Sequence, residues 1–142
     1  IPLDFTYSVK GYLPFTDEKR DKKEISWVDF AQSVNTILTE LEVTEDKQLG
    51  PFFLGKSELE TKEAASLALT GKLFMYLWDD ILRHDGRAEI FSAEAKTYGK
   101  LVALYEGGEP VFSRQFYEKI RTKSKPSANS GIQKTSAPNE EI

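Results

Sequence analysis

The chain has 142 residues and a formal net charge of −4, with 39% apolar, 12% aromatic and 30% charged residues, enough material for one core that buries about two thirds of the unfolded surface. The acidic balance supplies no global electrostatic argument for nucleic acid, although local basic patches stay open. The absence of cysteine excludes disulfides, thiolate nucleophiles and cysteine-based metal sites, and fits a cytoplasmic setting, while no apolar run approaches the roughly 18 residues that a membrane span needs.

The chain opens at Ile1 with no methionine, as expected of a piece of a longer polypeptide. Ile1, Leu3, Phe5 and Tyr7 alternate with Pro2, Asp4, Thr6 and Ser8, a period of two that predicts a short N-terminal β-strand with Pro2 at its start. Lys10 to Pro14 reads as a turn. Asp17 to Glu24 is a mixed-charge run that sums to zero, so residues 15–25 read as a solvated linker.

The clearest helix follows. Trp27, Phe30, Ala31, Val34, Ile37, Leu38 and Leu41 share one face at helical spacing. Ser26 is its expected N-cap, Asp29 stands at the capping-box position, and Ile25 with Phe30 occupies the hydrophobic-staple positions. A connector, Glu45-Asp-Lys-Gln-Leu-Gly-Pro-Phe-Phe-Leu-Gly-Lys-Ser-Glu58, comes next. It is too short for a helix and too apolar for an ordinary exposed loop. Gly50-Pro51 sets a tight turn, and Phe52, Phe53 and Leu54 are expected to plug the space under the flanking helices.

A second helix is predicted over 59–84, started by Ser57 with Glu60 and stopped at Asp85-Gly86. Its stripe holds Leu67, Phe74, Leu77, Trp78 and Ile81, broadened by Leu73, Tyr76 and Leu82. Gly71 in the middle predicts either a break or a close helix contact. A third helix runs from a Ser92 cap through Tyr105 to Gly107-Gly108, then a short extended piece at 110–112 and a helical turn from Phe116 to Ile120. The polar, Ser/Pro-rich residues 122–142 read as a disordered tail. The fold class that emerges is mainly α: a small helical bundle over residues 26–121, with a short β-strand before it and the tail behind. Its core is expected to hold Trp27, Phe30, Val34, Phe74, Leu77, Trp78 and Ile81.

Catalytic chemistry is sparse. The chain lacks the phosphate-loop, dinucleotide-loop, zincin and nucleophile-elbow motifs. Gly55-Lys56-Ser57 and Gly71-Lys72 echo the end of a phosphate loop without its upstream glycine. His84 is the one histidine and reads as a dipole partner in the last helical turn beside Arg83. Asp79 and Asp80 are expected to pair with Arg83 and His84 at i+4, and no metal is expected. Trp27, Trp78 and the Phe52-Phe53 pair could stack on a base, with core packing the default.

Taken together, Ile1-Pro-Leu-Asp-Phe5, Ile25-Ser-Trp-Val-Asp-Phe30, the stretch from Glu45 to Leu54, Gly71-Lys-Leu-Phe-Met-Tyr-Leu-Trp-Asp-Asp-Ile81 and Glu89-Ile-Phe91 resemble the C-terminal end of McrB-like AAA+ NTPases, the motor subunits of modification-dependent restriction systems. The resemblance covers residues 1–112. It implies a helical lid behind an AAA+ core, with residues 1–14 the last strand of that core. The parent would bind ATP or GTP with Mg²⁺ and form a homo-oligomeric ring. It would work with a nuclease subunit and meet DNA through the assembled complex. The family's catalytic residues lie upstream and have no counterparts here, and no cofactor is expected within this chain. A second sensor in such lids is a basic residue near the γ-phosphate, and the nearest candidates are Lys47, Gln48 and Lys56. None is an arginine, so solvated polar residues beside a packed turn are the alternative. A standalone helical protein–protein interaction module is the other reading of the whole chain.

Overall fold

In the computed structural model, which describes residues 3–127, the chain is mainly α with a three-stranded antiparallel sheet at one end. Strands β1 (Tyr12–Thr16) and β2 (Lys22–Ser26) form a hairpin, and β3 (Ser124–Pro126) returns to the open edge of β2. The helices are α1 (Trp27–Glu40), α2 (Lys62–Ala68), α3 (Arg87–Ile90), α4 (Tyr98–Glu106) and α5 (Arg114–Arg121). Past Ala68, α2 continues as π-helix over Leu69–Phe74 and Tyr76–Ile81.

The β structure differs from the expected one in place and extent. Among the described residues the alternating N-terminal segment is no strand. Asp4 Oδ1 accepts the Thr6 amide (2.9 Å) and hydroxyl (2.6 Å), and the Ser8 amide returns to Phe5 O. This local side-chain turn competes with an extended backbone. The 15–25 stretch, expected as a linker, is the end of β1, a turn and β2. Asp17 Oδ1 accepts the amides of Lys19 and Asp21 (both 2.9 Å), and Arg20 takes the left-handed conformation at φ 66°. Cross-strand pairing then sets Leu13 against Ile25, both buried, on the core face. Pro14 stands in the edge strand, where its missing N–H is tolerated. β3 lies within the stretch expected as tail; residues 128–142 of that expectation fall outside the described residues.

Helix α1 forms as expected. Ser26 Oγ accepts the Asp29 amide at 3.0 Å, and Trp27, Phe30, Ala31, Val34, Ile37 and Leu38 are buried. The second helix begins later than predicted, at Lys62 behind a Thr61 cap, and ends at Ile81. Leu67, expected in its buried stripe, is 71% exposed. The buried row is Ala65, Leu69, Leu73 and Leu77, with Phe74, Trp78 and Leu82 beside it. Strict spacing of four drifts by about 40° per step on a 3.6-residue helix. Wider i→i+5 turns absorb that drift and keep one row facing the core. Gly71 sits inside this stretch with open space where a Cβ would be, so the expected close helix contact is not formed there.

The third helix starts at Tyr98 behind a Thr97 cap, not at Ser92, while its stop at Gly107 stands. Phe112 pairs with Phe91 in an isolated antiparallel bridge. Its ring lies 4.9–6.1 Å from those of Phe15, Phe30, Phe74, Phe116 and Tyr117. That places Phe112 where hairpin, α1, the π-helical stretch and α5 meet. Of the predicted core, Trp27, Phe30, Val34, Phe74, Leu77 and Trp78 are buried, and Ile81 is partly buried against the same cluster.

Candidate functional site

The connector between α1 and α2 is held through its backbone by side chains of the elements around it. It leaves α1 with Glu42 at φ 65°, a left-handed position that usually takes glycine, and Val43 N–H closes on Leu38 O at 2.8 Å. The Gln48 amide then binds Thr39 Oγ1 and Val43 O, both at 3.0 Å. Asn35, buried within α1, donates to Leu49 O and accepts from Leu49 N–H, both at 2.9 Å. This reciprocal pair satisfies a backbone segment that has no ladder of its own. Trp27 Nε1 reaches Pro51 O at 3.4 Å.

From the other side, Tyr76 Oη donates to Lys47 O (2.7 Å) and Lys72 Nζ to Phe53 O (2.5 Å). Lys72 also pairs with Glu58 at 3.2 Å, and Glu58 accepts the Gly55 amide at 2.7 Å. That amide first, and then the Lys72 ammonium, hold the Glu58 carboxyl below its ordinary range despite partial burial. Lys72 is thereby committed to the connector, which accounts for the Gly71-Lys72 pair without any phosphate loop.

The expected plug is only in part a plug. Leu54 is fully buried, and Phe53 stacks on Trp27 and Tyr76 at 6.4 and 5.2 Å between ring centres. Phe52 instead is 69% exposed, while Leu49, ahead of the turn, is fully buried. Phe53 N–H turns back to Gly50 O at 3.2 Å. The tight turn at Gly50-Pro51 therefore puts the adjacent aromatics on opposite sides.

Among the three residues proposed to lie near nucleotide, Gln48 is engaged by Thr39 and Val43 at the exit from α1. Lys47 and Lys56 are exposed, and neither ammonium is in an ion pair among the described residues. The structure thus fixes the backbone of the connector and leaves the Lys47 and Lys56 side chains exposed on it. Asn35, Lys72 and Tyr76, which fix it, were missed as site residues. Their signal in sequence is weak, because a buried amide or a helical tyrosine reads equally well as core.

The end of the long helix differs from expectation too. It closes at Ile81, so Arg83 and His84 lie beyond it, and no Asp79–Arg83 or Asp80–His84 pair forms among the described residues. The orphan carbonyl of Trp78 is met by Arg87, with Nε at 3.1 Å and Nη2 at 2.8 Å, while the guanidinium stacks 4.3 Å from the Trp78 ring centre. Gly86, at φ 93°, precedes α3, where a Cβ would meet Leu41 at 2.9 Å. Among the described residues no group of three or more histidine, aspartate or glutamate side chains is placed to hold a metal, and no helix is long and apolar enough to cross a membrane.

No protein-family model matches the chain, and no solved structure matches it. The type II restriction enzyme BsuMI component YdiS of Bacillus subtilis (strain 168) is 35% identical over 95 residues, which are 67% of this chain and 26% of that protein. The chain thus spans about a quarter of the length of this curated relative.

Proposed function

We propose that this chain is the C-terminal helical lid of a McrB-like AAA+ NTPase in a DNA restriction system. The observation that carries the restriction-system part of the reading is the 35% identity to a restriction-enzyme component over two thirds of the chain; the lid part rests on the resemblance of the connector and of residues 71–81. The clamped connector agrees with it. A lid that moves as a rigid body needs its hinge-side segment fixed to its core, and reciprocal side-chain to backbone bonds supply that. Lys47 and Lys56 are the residues offered to nucleotide phosphate, where a cation stabilises charge on the transferring group. Gln48 helps by holding the backbone that carries Lys47. ATP or GTP with Mg²⁺ would bind chiefly to an upstream core. Neighbouring subunits of a ring and a nuclease subunit would be the partners, with DNA met through the assembly.

The test is nucleotide turnover by the purified chain and by the gene product that contains it. The chain alone is expected to hydrolyse neither ATP nor GTP, and the longer protein to hydrolyse one of them with Mg²⁺. Turnover by the isolated chain, or a longer protein that hydrolyses neither, overturns the reading. A second reading, an interaction module without NTPase chemistry, draws on the exposure of Phe52. A containing protein with no nucleotide turnover would favour it.

A further inference from the structure

A recess of about 420 Å³ opens between the hairpin, the start of α2 and the end of α4. Lys22, Lys23 and Lys62 line it, with the hydroxyls of Ser66 and Ser127, and Glu106 is its one carboxylate. On a chain of net charge −4 this is a local reversal of sign. Lys22 and Lys62 are in no ion pair among the described residues, and Lys23 meets Asp17 only at 4.0 Å.

The donors are held in place. Lys62 Nζ is bonded to Ser127 Oγ, and Ser127 is itself buried with its amide on Lys22 O at 3.0 Å. Ser66 Oγ shares a hydrogen bond of 3.2 Å with the Tyr105 hydroxyl, which donates to Pro14 O at 2.6 Å. Lys22 lies over the end of α4, where a Cβ on Gly108 would come 3.2 Å from its ammonium. The lysines come from two places in the sequence, residues 22–23 and 62, that the fold of the hairpin against α2 brings together. A residue-by-residue charge sum cannot show this.

We infer that this recess binds a phosphate group, through the ammoniums of Lys22 and Lys62 and the hydroxyl of Ser127, with Ser66 committed to Tyr105 and Lys23 turned towards Asp17. A multiply charged oxyanion gains more from two ammoniums and a hydroxyl on one recess than a singly charged carboxylate does. The volume suits a phosphate with part of its carrier. That carrier is either a free nucleotide or a nucleic-acid backbone, since both present the same oxygens. The site does not depend on the NTPase reading.

The experiment titrates the full chain with inorganic pyrophosphate and, separately, with a short DNA duplex, read by amide chemical shifts. Shifts are expected at residues 22, 62 and 127, and Lys22→Glu with Lys62→Glu should weaken binding at least about tenfold. A duplex that displaces pyrophosphate, with a salt slope that falls by about one unit per lysine removed, assigns a nucleic-acid backbone. Pyrophosphate binding that duplex does not displace assigns a free phosphate ligand. Lys100→Glu with Lys119→Glu controls for net charge, and unchanged far-UV ellipticity shows that each variant is folded. The site is overturned if neither probe shifts these amides, if the remote pair weakens binding as much, or if poly-glutamate competes equally at matched ionic strength.

Discussion

At the scale of single residues, Tyr117 shows how one buried hydroxyl ties distant segments together. It donates to Thr16 O at 2.7 Å and accepts the Val111 amide at 3.1 Å, so it joins the hairpin to the loop ahead of α5. Burial pushes its phenol up to about 12. The neutral phenol is therefore favoured by the fold, relative to an unfolded value of about 10. Its contribution to stability is fully present below about pH 10 and is lost as the pH rises towards 12. Tyr117→Phe strands a buried amide and a carbonyl and should cost about 1–3 kcal/mol near neutral pH. It should also flatten the alkaline fall in stability. Urea midpoints of both proteins from pH 7 to 11 check this, and parallel pH curves would contradict it.

At the scale of elements, the connector makes the sharpest division between neighbours. Phe53 stacks on two rings and lies 5.1 Å beneath the Lys72 ammonium, while Phe52 faces solvent. Phe53→Ala should cost about 2 kcal/mol, and Phe52→Ala should stay within about 0.5 kcal/mol of the parent. Equal losses in thermal unfolding would mean that the two rings share one pocket. The same contrast shows what could be read from sequence. Helix α1 was legible because cap, staple and periodicity agree, and α5 announced itself by Phe116 and Ile120. The hairpin was not, because the charge pattern of 17–24 conceals that Asp17 shapes a turn and Ile25 faces the core. The π-helical stretch was legible as a helix but not in its phase. A rule of 3.6 residues assigned Leu67 to the core, whereas the actual row advances by fours from Ala65 to Leu77. The connector's composition flagged a packed turn, and only coordinates could say which phenylalanine packs, since that depends on the backbone turn at Gly50-Pro51.

At the scale of the whole molecule, one apolar cluster runs from Leu13 to Ile120, and β3 closes it by bringing the end of α5 back to the hairpin. Ser124 pairs with Ile25, and Lys125 reaches both Glu24 (3.5 Å) and the Tyr12 ring (4.1 Å from its centre). Such a long closure costs chain entropy before its contacts form, so β3 contributes only once the rest of the core is in place. A rigid lid would need this closure, because the hairpin otherwise touches the helices on one face and leaves the β2 edge unpaired. Comparing chains that end after Ser127 and after Lys123 isolates β3. The shorter one should lose about 1–2 kcal/mol, the net worth of a few backbone hydrogen bonds. Trp27 and Trp78 report the core by fluorescence, and far-UV ellipticity reports the helices. In both chains the two signals should fall together in urea, as a single cooperative unit requires. An unchanged midpoint would show that β3 adds nothing to stability. If the signals part company in the longer chain, core packing and helix formation are separate events, and a lid that moves as one body would lose its structural basis.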